Sequence, residues 1–208
     1  MSYGITAIAV SLQDVENVIG GDTKSGWLLS RLLGSASSRL IKTIKREFAH
    51  RFEQDDVLED DEPTLQQALD DLLAGRALDT SYGHKYAYAF ELICNHFGEF
   101  LDNSAWSAMG GEWAEQVHEA MKQAGIDEQA ISVNDHLMCR GAPLSIPEPH
   151  DFPFIGFLRK SEIAKAAHAI DSADLSSMDE EVRESVIQIR GWFDRCQQLD
   201  CDLVCFYY

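Results

Sequence analysis

The chain has 208 residues, of which 45% are hydrophobic and 25% are charged, a composition typical of a globular protein and not of a disordered or fibrous one. Its 35 acidic residues against 17 lysines and arginines give a formal net charge of −18 at pH 7. This charge repels nucleic-acid phosphates and anionic membrane surfaces, so neither is an expected partner, whereas a basic protein is compatible with it.

Strands are predicted at both ends of the chain and near residue 155. YGITAIAV at residues 3–10 is small and β-branched, and FIGFL at residues 154–158 follows a proline. DLVCFYY at the end of the chain is apolar without alternation, which is typical of an interior strand. We expect these segments to form one small mixed sheet, whose C-terminal strand spans residues 202–207.

Helices are predicted between these strands. Apolar residues at helical spacing, with glycines and prolines at the breaks, indicate helices over residues 11–20, 24–33, 36–52, 63–75, 81–101 and 113–124, one beginning at Ser161, and a long one capped by Ser177 and Glu180. We therefore predict an α+β fold, predominantly helical, in which residues 1–208 form a single domain. We find no internal repeat and no linker that divides the chain.

Two loops stand out by composition. EQDDVLEDDE, residues 53–62, contains seven acids and is called the acidic segment below. Directly before it, a predicted helix carries Arg39, Lys42, Lys45, Arg46 and Arg51, and adjacent blocks of opposite charge more often pair or face water than bind a ligand. CRGAPLSIPEPHDFP, residues 139–153, holds four of the five prolines and is called the proline-rich segment. We expect it to be an extended loop.

The cysteines and the N-terminus indicate a cytoplasmic protein. The five cysteines are odd in number and form no CxxC pair, so we expect structural thiols in a reducing compartment. The first fifteen residues have neither the basic region nor the cleavage site of a signal peptide. No apolar run approaches the roughly 18 residues of a membrane span, so we expect no membrane association.

The stretch SYGHKYAYAFELICNHFGEF, residues 81–100, concentrates two histidines, a cysteine and three tyrosines in one predicted helix. His84 and His96 would lie about 18 Å apart along that helix. Cys94 and His96 would face nearly opposite sides, so neither pair can share a zinc ion. No metal site is therefore predicted.

A narrow polar line remains on this helix. His84, Tyr88, Glu91 and Asn95 are spaced 4, 3 and 4 residues apart and so share one side, while most of the circumference is apolar. These four side chains either form the wall of a ligand-binding cleft or face water and make structural hydrogen bonds. In a cleft, Tyr88 and Glu91 would fix the tautomer of His84, which could then act as a general base.

Other candidate chemistry is weaker. His150 and Asp151 in the proline-rich segment are a candidate base and its orienting carboxylate, although adjacent residues rarely face each other and a surface turn is the alternative. The chain has no GxSxG, GxxxxGK[ST] or GxGxxG motif, and His118 lacks the second histidine of HExxH. No cofactor is predicted, and no catalytic residue can be named.

Several segments resemble an uncharacterised bacterial family of similar length. They are the opening MSY, LAGRALDTSYGHKYAYAFELICNHFGE, RGAPLSIPEPHDFPFIGFLRKSEI and the terminal DLVCFYY, so the likeness runs from end to end. More distantly the chain resembles the YfbM-like proteins, which implies an α+β fold. The resemblance implies no activity and no catalytic residue. It directs attention to Gly83-His84, Glu91 and residues 147–153, which lie inside the matching segments.

Two functions of different classes remain. The first is a non-catalytic acidic binding protein that docks a basic protein partner, as immunity and antitoxin proteins do. The second is a small-molecule-binding protein or enzyme, whose cleft follows the polar line of residues 84–95 under the proline-rich segment. We favour the first because no enzyme signature is present, although solubility alone is a simpler reason for the charge.

Overall fold

Helices are the main elements of the protein. The computed structural model describes residues 3–20, 36–57, 59–107 and 109–208. Its α-helices are α1 (Leu12–Val18), α2 (Ala36–Glu47), α3 (Ala49–Glu53), α4 (Leu65–Ala74), α5 (Gly83–Phe97), α6 (Trp113–Gln123), α7 (Lys160–Asp171) and α8 (Glu180–Leu199). The strands are β1 (Ile5–Val10), β2 (Glu99–Phe100), β3 (Phe154–Leu158) and β4 (Asp202–Tyr207). The helix predicted over residues 24–33 lies outside the described residues.

The chain groups into two compact units, each assembled from separated segments. The first, called the sheet unit, contains Met1–Leu12, Gly98–Pro143 and Pro153–Tyr208. The second, called the helical unit, contains Gln13–Phe97 and Leu144–Phe152. That residues 1–208 form a single domain stays a prediction.

The sheet has four strands in the order β2-β1-β4-β3. Val204 of β4 pairs with Ile8 of β1 on one side and with Phe157 of β3 on the other. The predicted α+β class is confirmed, and the three predicted strands form the sheet with the short β2 added. All pairings among the described strands are antiparallel, so the sheet is not mixed as expected, because β1 and β3 both run opposite to β4.

One face of the sheet carries the core of the sheet unit. The inward residues of β1 and β4 are buried with the apolar seam of α8, namely Ile5, Ala7, Leu203, Cys205, Val182, Val186, Ile189, Phe193 and Cys196. A π-helix, Val133–Met138, packs so closely on β3 that a Cβ at Gly156 would lie 2.2 Å from the carbonyl carbon of Leu137. Only glycine fits at that position.

The start of α8 differs from the prediction. Asp179 is the N-cap residue, and its side chain makes no capping hydrogen bond. Leu175–Ser177 forms a separate 3-10 turn capped by Asp174, so the capping box expected from Ser177 and Glu180 is not formed. The local turn has taken the backbone away from the geometry that a capping box requires.

Helices α4 and α5 pack together in the helical unit. Thr64 caps α4 in a capping box, since Thr64 Oγ1 accepts from the Gln67 N–H and Gln67 Oε1 accepts from the Thr64 N–H. The buried face of α4 comprises Leu65, Ala68, Leu69, Leu72 and Leu73. Helix α5 buries an aromatic and aliphatic face, as its sequence predicts, including Tyr86, Phe90 and Ile93. Among the described helices, none combines the length and apolarity that crossing a membrane requires.

Candidate functional site

The acidic segment lies against the first turn of α5. The buried Glu62 side chain faces two residues there, with Oε1 3.0 Å from His84 Nε2 and 3.4 Å from Lys85 Nζ. Lys85, itself buried, also donates to Asp55 Oδ1 at 2.8 Å and to the Asp56 carbonyl oxygen at 2.7 Å. A buried ammonium is costly unless it is paired, so these contacts form one buried ion network.

The next part of the polar line is covered by an arginine of α3. The guanidinium of Arg51 lies 2.8 Å from Glu91 Oε2 and 5.5 Å from the centre of the Tyr88 ring. Burial raises the pKa of the Tyr88 hydroxyl, and the nearby Glu91 and Asp151 carboxylates raise it further, while Arg51 acts in the opposite direction. Tyr88 is therefore a neutral hydrogen-bonding group near pH 7 and not a phenolate.

Asn95 ends the polar line with a local contact. Its Nδ2 donates to the Glu91 carbonyl oxygen at 3.0 Å, one turn back along α5. Each of the four residues on the line thus has a contact within the helical unit. Whether the line also binds a ligand stays a prediction.

The two candidates in the proline-rich segment are exposed. Among the described residues no hydrogen bond joins His150 to Asp151, and Asp151 Oδ1 instead accepts from the next backbone N–H at 2.7 Å. Asp151 is nevertheless close enough to Tyr88 to raise its pKa. The backbone of the same segment covers the start of α5, since a Cβ at Gly83 would lie 2.4 Å from the Glu148 carbonyl oxygen.

Two surface hollows lie apart from these six residues. One, of about 720 Å³, is in the helical unit and is lined by residues that include Glu16, Ile19, Arg76 and Leu78. The other, of about 700 Å³, is in the sheet unit between β2 and α8. In the part of the chain that the structure describes, no three histidine, cysteine or carboxylate side chains are grouped to hold a metal ion.

The second hollow has an apolar floor and is called the α8–β2 groove. Its apolar lining consists of Phe100, Leu101, Ala105, Ile187 and Trp192. Phe100 is 53% exposed and Ile187 is 54% exposed, whereas Trp192 is buried and donates from Nε1 to the Asp102 carbonyl oxygen at 2.6 Å. Two large side chains at one hollow make an apolar patch on an otherwise acidic protein.

The rim of the groove carries carboxylates. Arg195 binds Glu99 through two hydrogen bonds of 2.8 and 2.7 Å, and this pairing holds the pKa of the Glu99 carboxyl below its usual range. The Asp102 carboxylate accepts from the neutral groups Gln188 Nε2 and Ser104 Oγ, at 2.6 and 2.9 Å. Glu184 is exposed and makes no ion pair with any described residue. Within the described residues, the side chains of these two rim carboxylates make no ion pair.

A glycine lies in the middle of the groove wall. Gly191 is exposed within the 20-residue helix α8, where glycine costs about 1 kcal/mol relative to alanine. A Cβ added there would meet none of the described residues within 4 Å, so close packing against them does not account for the glycine. A residue that lowers helix stability without improving packing is expected at functional sites.

The sequence analysis did not identify this groove. Two signals in α8 pointed to it, namely an apolar Ile187 outside the buried seam and a glycine at position 191. The other wall, residues 99–105, is about 80 positions away in the chain, and β2 has only two residues. Helical periodicity within α8 cannot indicate what lies opposite it.

The comparisons with known proteins identify a family. The family model described as Domain of unknown function (DUF7691) matches residues 1–208, so the chain belongs to this family. No curated protein and no solved structure matches the chain.

Proposed function

We propose that this DUF7691 protein is a non-catalytic binding protein that docks a basic protein partner in the α8–β2 groove. The observation that carries the proposal is the combination of two half-exposed apolar side chains, Phe100 and Ile187, with the rim carboxylates Asp102 and Glu184, which pair with no cation among the described residues. The partner segment presents at least one apolar side chain flanked by lysine or arginine. Immunity and antitoxin proteins are one class that works in this way.

The apolar floor supplies affinity in this proposal. Fully burying a large apolar side chain stabilises a complex by about 1.5–3 kcal/mol, so covering the exposed halves of Phe100 and Ile187 contributes about 2 kcal/mol together. Trp192 beneath them is already ordered by its hydrogen bond to Asp102 and therefore loses little entropy on binding.

The rim and the overall charge supply the preference for a basic partner. A net charge of −18 attracts a cationic protein over long range and repels an anionic one. At close range Asp102 and Glu184 are available to lysine or arginine. From Glu184 to Arg195 the wall extends about 16 Å along α8, the length of three helical turns. Gly191 lets the partner backbone approach this wall closely.

The test is a comparative capture experiment. Immobilised wild type, Ile187→Ser, Phe100→Ser and the control Leu199→Ser are incubated with the same lysate of the source cells, and bound proteins are quantified. Leu199 is 41% exposed on the same helix but does not line the groove. We expect a basic protein that wild type and the control retain and that each groove variant binds about fivefold more weakly, a difference of about 1 kcal/mol.

Two charge-reversal variants complete the test. Glu184→Lys should lower the same capture and reduce its dependence on salt, whereas Glu119→Lys on α6, exposed and outside the groove, should not. Far-ultraviolet circular dichroism checks that each variant is folded. If the same proteins are captured in equal amounts by wild type and by all groove variants, the groove is not the docking site.

Ligand binding along α5 is the second candidate. It is favoured by the position of the Glu148 backbone over Gly83 and by the proximity of Asp151 to Tyr88, which bring the proline-rich segment to the polar line. A small-molecule library tested by thermal shift should then stabilise wild type but not His84→Ala/Tyr88→Phe. If every stabilising compound acts equally on the double variant, the polar line is not a ligand site.

The remaining expectations belong to the same proposal. A cytoplasmic location fits the five free cysteines, since thiols persist in a reducing compartment. A bacterial source and a distant likeness to the YfbM-like proteins rest on the sequence resemblance alone. Recovery of the endogenous protein from a cytoplasmic fraction would test the location directly.

A further inference from the structure

The C-terminal end of α8 brings two cysteines together. Asp200 adopts a left-handed conformation with φ 52°, the Cys201 N–H bonds to the Cys196 carbonyl oxygen at 3.0 Å, and the Asp200 N–H bonds to that of Gln197 at 3.3 Å. This pair of bonds is the Schellman motif, in which the side chains of the first and last residues meet. In most helices these are two apolar residues, and here they are two thiols.

The two thiols influence each other at this helix end, where Cys196 Sγ also donates to the Asp202 carbonyl oxygen at 3.6 Å. The neighbouring Cys196 thiol lowers the pKa of the Cys201 thiol, whereas Cys201 and burial raise the pKa of the Cys196 thiol. Cys201 therefore forms the thiolate first, and the Cys196 thiol keeps its proton. A thiolate beside a protonated thiol is the arrangement found in reactive dithiols.

Cys201 is reachable from outside. Both cysteines line a surface hollow of about 320 Å³, whose rim includes Lys160, Gln197 and Asp200. Cys201 is 7% exposed, while Cys196 lies beneath it with no exposed surface. A small reactant can therefore contact the Cys201 sulfur, whereas the Cys196 sulfur is shielded from a thiol on another protein.

Charges around Cys201 act in both directions. Lys160 and Arg195 are close enough for the Cys201 thiolate to raise the pKa of each cation, so each cation in turn favours the thiolate. Asp202, Asp200 and Glu99 act against it. The neighbouring Cys196 thiol outweighs these carboxylates, so the pKa of the Cys201 thiol is lowered.

We propose that Cys201 and Cys196 form a redox-active pair that reacts with hydrogen peroxide and closes to a disulfide. The Cys201 thiolate attacks one peroxide oxygen, the O–O bond breaks, and hydroxide leaves and takes a proton to become water. The product is Cys201 sulfenic acid. The Cys196 sulfur then attacks the Cys201 sulfur, the S–O bond breaks, and the hydroxyl group leaves as water with the Cys196 proton. A small dithiol restores both thiols and is itself oxidised to a disulfide.

The other three cysteines are poor competitors. Burial raises the pKa of the Cys94 and Cys205 thiols, and neither has exposed surface. Cys139 is exposed, but partial burial of its sulfur and the nearby Asp135 carboxylate raise its pKa. If exposure alone decided reactivity, Cys139 would be oxidised first. The arrangement of Cys201 beside Cys196 predicts oxidation at Cys201 instead, so the site of oxidation distinguishes the two hypotheses.

The experiment locates the oxidised sulfur. The folded full-length protein is treated with a small excess of hydrogen peroxide, free thiols are alkylated, and the chain is cleaved before aspartate. Cleavage at Asp200 and Asp202 places Cys196, Cys201 and Cys205 in separate peptides. We expect residues 194–199 linked to residues 200–201, lighter by two hydrogen atoms, and released by a dithiol. Alkylation of both cysteines after peroxide treatment would overturn the proposal.

Variants separate the two roles. With dimedone present, Cys196→Ala should accumulate the sulfenic-acid adduct at Cys201, and Cys201→Ala should show no adduct at Cys196. Cys139→Ser is the matched control and should form the disulfide as fast as wild type. An adduct found only at Cys139, or a link between Cys196 and Cys205, would contradict the assignment. The wild-type measurement decides the question even if the Cys196 variant fails to fold.

Discussion

Arg51 holds a buried carboxylate in place, because its guanidinium lies 2.8 Å from Glu91 Oε2 and the Glu91 side chain is only 4% exposed. Arg51→Met should lower the free energy of unfolding by about 2 kcal/mol, since removing one partner of a buried pair leaves the other unneutralised. Adding Glu91→Gln should recover part of this loss. Urea unfolding at neutral pH measures both changes.

A surface pair provides the comparison for this prediction. Lys165 lies 3.5 Å from Asp127, and both side chains are exposed. Lys165→Met should therefore change the free energy of unfolding by no more than about 0.5 kcal/mol. If Arg51→Met has as small an effect, the Arg51–Glu91 contact does not stabilise the helical unit.

Lys85 is the cation of the second buried network. Lys85→Met should destabilise the protein by about 3 kcal/mol, because it leaves Asp55 and Glu62 without their ammonium partner. Glu62→Gln should restore part of the stability in that background and should lower it in the wild type. A Lys85→Met protein as stable as wild type would show that the acidic segment is held by other contacts.

The elements of the fold were largely predictable, and their arrangement was not. The helix at 83–97 was identified because its apolar residues repeat at helical spacing, and the strand at 202–207 because it is continuously apolar. Strand direction depends on the path by which the chain returns to the sheet, so the antiparallel pairing could not be read from β4 itself. The assembly of each compact unit from separated segments leaves no trace in composition.

The partners of the candidate residues were also hidden in the sequence. The acidic segment was expected to pair with the basic residues just before it or to face water, but Asp55 and Glu62 bind Lys85 on α5. Of the preceding cations, Arg51 binds Glu91 instead. Proximity along the chain favours neighbours only when the backbone lets them meet, and here the packing of α5 against the segment decides the pairing.

Gly191 and Gly156 should respond in opposite ways to alanine. A Cβ at Gly191 points into open space, so Gly191→Ala should raise the free energy of unfolding by about 0.5–1 kcal/mol. A Cβ at Gly156 would lie 2.2 Å from the Leu137 carbonyl carbon, so Gly156→Ala should destabilise the protein by several times that amount. Thermal unfolding compares the two variants.

The same glycine links stability to binding. If the partner backbone approaches α8 at Gly191, the stabilised Gly191→Ala protein should capture less of the basic partner than wild type does. A variant that is both more stable and equally active in capture would show that the open position has no part in docking.

Glu162 makes stability depend on pH in the acid range. Arg140 donates to both of its carboxylate oxygens at 2.8 and 2.9 Å, and the Arg159 N–H donates at 2.8 Å, so the pKa of this carboxyl is lowered, chiefly by Arg140. A carboxyl that binds its proton less tightly in the folded state stabilises the fold at neutral pH. As the pH falls below about 4.3, the ordinary value for glutamate, the unfolded chain takes up the proton first and this stabilisation is lost.

Glu162→Gln should therefore be less stable than wild type at neutral pH, and its stability should decline less steeply between about pH 5 and pH 3. Glu119→Gln, an exposed glutamate on α6, should keep the wild-type slope. Urea unfolding at a series of pH values gives both slopes. Equal slopes for Glu162→Gln and wild type would mean that the contact with Arg140 does not lower the pKa of Glu162 in solution.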